Sequence, residues 1–299
     1  MQFQNSKGYE GVAGWLADKG FSAFIFQEET WQHIIDGRSG LVNAPTGFGK
    51  TFSVFLGAVI DFINHHPSDY KTCAPHRLLL IWITPLRALA KDIGRAMEEV
   101  IAELGMQWRI GIRNGDTPVA ERQQQKKRPP EVLVITPESF HLLLAQKGYA
   151  DFFSTLKIIA VDEWHELLGS KRGVQVELAI SRVAGLRSHV SGDALSIWGI
   201  SATIGNLDEA KEVLMSCLPQ AVPTVIVKAE LKKNIVIESV LPDEIENYPW
   251  AGHLGIKLVQ KVIPIIHQSR TTLIFINTRG MSETWYQGLL TAAPDLAGA

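Results

Sequence analysis

The chain has 299 residues, 46% of them hydrophobic and 20% charged, with 25 Gly and 14 Pro, which excludes a disordered, collagen-like or low-complexity protein. Its formal charge is −2, from 29 Lys and Arg against 31 Asp and Glu, so a nucleic-acid partner has to be held by a local basic surface and not by bulk charge. Only Cys73 and Cys217 occur, which excludes a disulfide framework and a four-cysteine zinc site and points to a reducing compartment.

The first residues, Met1-Gln-Phe-Gln-Asn-Ser-Lys7, lack the apolar core of a signal peptide, and no window reaches the ~18 apolar residues of a membrane span. The expectation is a soluble, unexported protein of the cytoplasm. Short apolar runs at residues 40–44, 78–84, 109–113, 132–136, 158–162 and 195–201 predict buried strands. Their near-continuous hydrophobicity is what a parallel sheet covered on both faces demands. Stretches with helical apolar spacing fall between them, at 51–64, 87–104, 138–146 and 175–185, so each strand feeds a helix and an α/β domain follows.

The basic, proline-terminated stretch at residues 123–130 reads as an exposed loop. Beyond Pro219, residues 222–227 and 234–240 are strand-like, 253–267 helical and 271–277 strand-like again. The expected boundary lies near residue 220, with a first domain over 1–220 and an incomplete second one over 221–299.

Ala44-Pro-Thr-Gly-Phe-Gly-Lys-Thr51 follows a predicted strand and opens a predicted helix, the context of a phosphate-binding loop. Backbone N–H groups of Thr46, Gly47, Phe48, Gly49, Lys50 and Thr51 can converge on a triphosphate, with Lys50 on the outer phosphates and the Thr51 hydroxyl on Mg²⁺. Val161-Asp-Glu-Trp-His165 ends another apolar run, at the carboxyl edge where open α/β sheets collect ligands. Asp162 suits Mg²⁺, and Glu163 suits the base that activates the attacking water. An Asp-Glu pair by itself also fits a helix N-cap.

Taken in order, Ala44–Thr51, Thr84-Pro-Leu-Arg-Ala-Leu89, Thr136-Pro-Glu-Ser139, Asp162-Glu-Trp-His165, Ser201-Ala-Thr203 and Phe275-Ile-Asn-Thr-Arg279 resemble the motifs of superfamily 2 helicases. The set is similar to DEXH-box helicases of the large helicase-related (Lhr) type, and the stretch from Val161 to Glu177 to their bacterial ligase-associated branch. The resemblance implies a RecA-like first domain, a truncated second RecA-like domain, ATP and Mg²⁺ as ligands, and ATP-driven 3′-to-5′ movement on DNA in repair.

By the same resemblance Gln27 reads adenine and His165 belongs to the nucleotide side, while Thr84, Arg87, Arg113 and Thr136 hold strand phosphates. Asn277, Thr278 and Arg279 contact the strand from the second domain, and Ser201 and Thr203 couple nucleotide state to domain movement. Turn formation explains Arg113-Asn-Gly-Asp-Thr117 equally well. Lys126, Lys127, Arg128, Lys171 and Arg172 are further basic candidates.

The implied partners are single-stranded or forked DNA, with an ATP-dependent DNA ligase and a nuclease as companions in a bacterial cytoplasm. The chain contains no Gln-x-x-Gly-Arg-x-Gly-Arg element, which in the family meets the γ-phosphate, so ATP binding with weak hydrolysis is expected of it and a longer protein is implied. RNA unwinding, or an ATP-sensing clamp on nucleic acid, stay open as alternatives.

Overall fold

A computed structural model describes residues 3–190, 195–202, 204–219, 222–230, 235–242 and 255–298. The chain forms two compact units, Met1–Leu231 and Lys232–Ala299. In chain order the first unit holds α1 (Lys7–Asp18), α2 (Ile25–Ile35), β1 (Ser39–Asn43), α3 (Lys50–His65), β2 (Leu80–Ile83), α4 (Arg87–Glu103), β3 (Ile110–Arg113) and α5 (Val119–Lys127). It continues with β4 (Val132–Ile135), α6 (Pro137–Leu144), α7 (Tyr149–Phe153), β5 (Ile158–Val161), α8 (Trp164–Leu167), α9 (Lys171–Val190), β6 (Ser196–Ser201), α10 (Leu207–Met215) and β7 (Thr224–Lys228).

The seven strands form one parallel sheet in the order β3-β4-β2-β5-β6-β1-β7. Alternation along each strand splits the core in two. Leu80, Trp82, Val132, Val134, Ala160, Trp198 and Ile200 pack with α1–α4 on one face. Ile81, Ile83, Leu133, Ile135, Ile159, Val161 and Ile197 pack with α6–α10 on the other. This is the two-faced parallel sheet expected of a RecA-like domain. Trp164 is wholly buried in the second layer, and its indole N–H donates to the Ala210 carbonyl at 2.9 Å.

Four expectations need correction. Residues 123–127 are not a loop, because Val119–Lys127 is helical; only 128–130 of the expected stretch lie outside an element. Its turns are held by Gln125, which is buried and donates to the Ile112 carbonyl (3.0 Å) and to Glu121 (3.2 Å), so the helix packs through a polar residue and carries no apolar stripe. The boundary at 220 falls inside the first unit: Thr224–Lys228 pairs in parallel with Ser39–Asn43 and completes the first sheet. Residues 271–277 are not a strand, and neither are 235–240.

The second unit contains α11 (Val259–Gln268) and α12 (Arg279–Ala292) and, among its described residues, no strand. Leu273 and Phe275 are 77% and 90% exposed and residues 235–237 are equally open, and neither strand-like run pairs with a strand among the described residues. Residue 234 of the expected strand and residues 253 and 254 of the expected helix lie outside the described residues.

Candidate nucleotide and strand site

The parallel ladder sets the predicted residues in a row along one edge of the sheet. Where strands end, backbone bonds run from Thr136 N–H to the Arg113 carbonyl (3.3 Å), Thr84 to Ile135 (3.0 Å), Asp162 to Ile83 (2.8 Å) and Ala44 to Ser201 (3.1 Å). With β6 alone between β5 and β1, the acidic turn and the phosphate-type loop stand two strand spacings apart, roughly 10 Å. Thr84 and Thr136 occupy the other half of the same edge. One register thus builds both halves of the site.

The loop takes its shape from its glycines. Gly47 and Gly49 have φ of +87° and +71°, and Gly49 is the N-cap from which α3 starts at Lys50. A Cβ at Gly49 would come within 2.9 Å of Gln27 Nε2. Lys50 is 8% exposed and its ammonium has no hydrogen-bond partner among the described residues. Burial pushes its pKa down, while Glu163 and Asp162 pull the other way. A buried, unpaired cation at a helix N-terminus is costly in the free chain and is what a polyphosphate relieves.

Asp162 is 4% exposed, accepts from the Glu163 N–H at 3.0 Å, and takes a long 3.4 Å contact from the Trp82 indole. Burial, and next the Glu163 charge, push its carboxyl up to about 6. Glu163 caps α8 with φ +47°, a left-handed conformation that non-glycine residues adopt at a cost of about 1–2 kcal/mol. Its Oε2 lies 3.4 Å from His165 Nδ1, and the same ring nitrogen is 3.0 Å from the Ser201 hydroxyl. The sequence offered no sign of that strained cap. Thr203 lies outside the described residues.

Gln27 is buried, takes the Phe24 N–H on Oε1 at 2.9 Å and donates to the Gly49 carbonyl at 3.0 Å. That leaves one N–H and one lone pair of the amide for a base. Beside it Phe24, Phe48, Phe21 and Trp15 line a cavity of about 680 Å³ that reaches Gly47 and Gly49. The orphan ammonium, the glycine-shaped turn and the neighbouring carboxylates together fit a magnesium nucleotide: Thr51 and Asp162 are the oxygen donors suited to the ion, and no other described residue at this edge combines these features.

On the strand side, the Thr84 hydroxyl is fully buried without a partner, while the Thr136 hydroxyl is 3.2 Å from that of Ser139. Arg87 is exposed and pairs with Asp116 at 3.0 Å, its guanidinium lying over Gly115. The two motif fragments are therefore neighbours. Arg172 grips Glu138 through two bonds, 2.6 and 3.3 Å, tying α9 to the first turn of α6, a link the sequence did not reveal. Arg113 is 3% exposed, and its guanidinium donates to Gln125 Oε1 (3.3 Å) and the Arg122 carbonyl (3.2 Å), so it braces α5. In the second unit, Thr278 caps α12 by accepting from Met281 N–H, Asn277 is exposed, and Arg279 is exposed and 3.7 Å from Glu283.

The family model for DEAD/DEAH box helicases matches residues 25–210. Similar curated proteins include the ATP-dependent helicase Lhr-Core protein 2 of Thermococcus barophilus, 34% identical over 261 residues, covering 83% of this chain and 29% of that protein. The Lhr helicase/uracil glycosylase of Escherichia coli is 27% identical over 278 residues, covering 86% of this chain and 18% of its own length. This chain spans less than a third of either. Among solved structures, Mycobacterium smegmatis helicase Lhr bound to ssDNA and AMP-PNP superposes with a TM-score of 0.75 at 24% identity, over all of this chain and 37% of that one. No helix among the described residues is long and apolar enough to cross a membrane.

Proposed function

The chain belongs to the DEAD/DEAH box helicase family, and on that footing we propose that it carries the nucleotide-binding and strand-gripping core of an ATP-driven DNA helicase or translocase of Lhr type. Bound Mg·ATP supplies the phosphoanhydride and the metal charge. Lys50 and the N–H groups of 46–51 hold its phosphates, Thr51 and Asp162 are suited to the ion, and Gln27 reads the base. Glu163 orients the attacking water and takes its proton on a carboxylate oxygen. Thr84, Arg87 and Thr136 grip phosphates of one strand, which gives weak sequence preference and strong salt dependence.

Movement 3′-to-5′, a repair role beside a ligase or nuclease, and a bacterial cytoplasmic setting rest on the resemblance to the ligase-associated branch. Residues 232–299 are read as the start of a second RecA-like domain, with Asn277, Thr278 and Arg279 on the strand.

The observation that carries the reading is the unpaired, buried Lys50 ammonium facing the Asp162–Glu163 pair at the same sheet edge as Thr84 and Thr136. The test is ATP hydrolysis by the longest natural form of the protein, with matched single-stranded DNA and RNA. A DNA-stimulated rate supports the reading. Equal or greater stimulation by RNA replaces it with RNA unwinding, and strand binding without any rise in hydrolysis replaces it with an ATP-gated clamp.

A further inference from the structure

We propose that His66, Asp69 and Cys73 form a zinc-type cation site at the opposite end of the phosphate-loop helix, distinct from the magnesium nucleotide site. One donor atom from each lies within 4.8 Å of the others. His66 Nδ1 and Asp69 Oδ1 are already 3.5 Å apart. Around a tetrahedral ion with bonds of ~2.0–2.3 Å, neighbouring donors sit about 3.3–3.8 Å apart, the spacing that His66 Nδ1 and Asp69 Oδ1 already have. The nitrogen, oxygen and sulfur set suits Zn²⁺ and leaves a fourth position for water.

Local structure holds the three side chains on one side of a compact turn. Tyr70 N–H bonds to the His66 carbonyl at 3.0 Å, while Thr72 and Cys73 N–H groups both bond to the Asp69 carbonyl, at 2.9 and 2.7 Å. The His66 ring stacks on Phe62 at 4.5 Å, which removes its freedom to swing. Asp69 is exposed and the other two are half-buried, so an ion can enter from solvent.

One feature of the fold favours a cation there: His66 is the C-cap of α3, and a helix C-terminus carries a partial negative charge. On binding, the Cys73 thiol releases its proton to solvent and His66 ligates as the neutral ring. Because α3 also begins at Lys50, about 24 Å away along its axis, the ion would fasten the far end of that helix to the segment leading into β2.

The test is Co²⁺ titration of the chelator-treated full chain, followed by thiolate-to-cobalt charge-transfer absorption, with Zn²⁺ competition for affinity. The expected result is a single equivalent with that band, its loss in Cys73→Ser, and affinity at least about 100-fold lower in Asp69→Asn, an exposed change that leaves folding alone. Lys50→Ala should keep the band, which separates this site from the nucleotide reading. No charge-transfer band in the wild type, or a band that survives Cys73→Ser, overturns the proposal.

Discussion

His165 Nδ1 and the Ser201 hydroxyl share a 3.0 Å hydrogen bond, joining the acidic turn after β5 to the end of β6. The same nitrogen faces Glu163 at 3.4 Å, so one ring touches both the acidic turn and the end of β6, the path of the proposed coupling. Ser201→Ala should leave nucleotide affinity within about 3-fold while lowering strand-stimulated hydrolysis on the order of 10-fold, one hydrogen bond's worth. Equal losses in both, measured by equilibrium binding and steady-state kinetics, would show that Ser201 only holds the fold.

Lys50 pays a burial cost that only a ligand removes. Without nucleotide, Lys50→Ala should melt at or above the wild-type temperature, since it deletes an unpaired buried ammonium. With saturating Mg·ATP, wild type should gain about 2.7 kcal/mol at 100 times Kd, and the variant nothing. A variant less stable than wild type without nucleotide would mean that the ammonium has a partner in solution.

Asp162 gives a pH dependence of definite sign. Its carboxyl holds a proton up to about pH 6 in the folded chain, against about 4 when unfolded. The folded state therefore binds more protons in that window, and this group's contribution falls as pH rises through it, by about 3 kcal/mol, and stays low above it. Asp162→Asn should match wild type near pH 4 and exceed it at pH 8 in metal-free urea unfolding. A pH-independent difference contradicts the assignment. Mg²⁺ affinity of the wild type should weaken below pH 6.

Arg87 and Arg113 should part company. Arg87 is exposed and paired with Asp116; if it holds a strand phosphate as proposed, Arg87→Ala should weaken strand binding several-fold while reducing the salt slope by about 1. Arg113→Met should leave strand affinity unchanged but cost roughly 1–3 kcal/mol of stability, because Gln125 and the Arg122 carbonyl lose a buried donor. Strand binding that falls with Arg113→Met would restore its expected role.

What the residues disclosed in advance follows from how locally each feature is determined. The Ala44–Thr51 turn and the Asp162–Glu163 pair were legible because a short segment and its flanking strand specify them. All seven of the sheet's strands were legible as strand-like runs, but β7 was placed in the second unit, since pairing with β1 is a contact across most of the chain that no local pattern encodes. Helix α5 hid because it packs through Gln125 instead of an apolar stripe. Residues 271–277 have strand-like side chains but no ladder partner among the described residues. Arg172 and Glu138 meet only once α6 and α9 pack, and the left-handed φ of Glu163 is set by its turn, not by its residue type.

The most direct measurement is a structure of the chain with Mg²⁺ and a non-hydrolysable ATP analogue. The account predicts phosphates on the N–H groups of 46–51 and on Lys50, and a metal ion between Thr51 and Asp162 with Glu163 facing the terminal phosphate. A nucleotide bound anywhere else, or an ion that ignores Asp162, would contradict it.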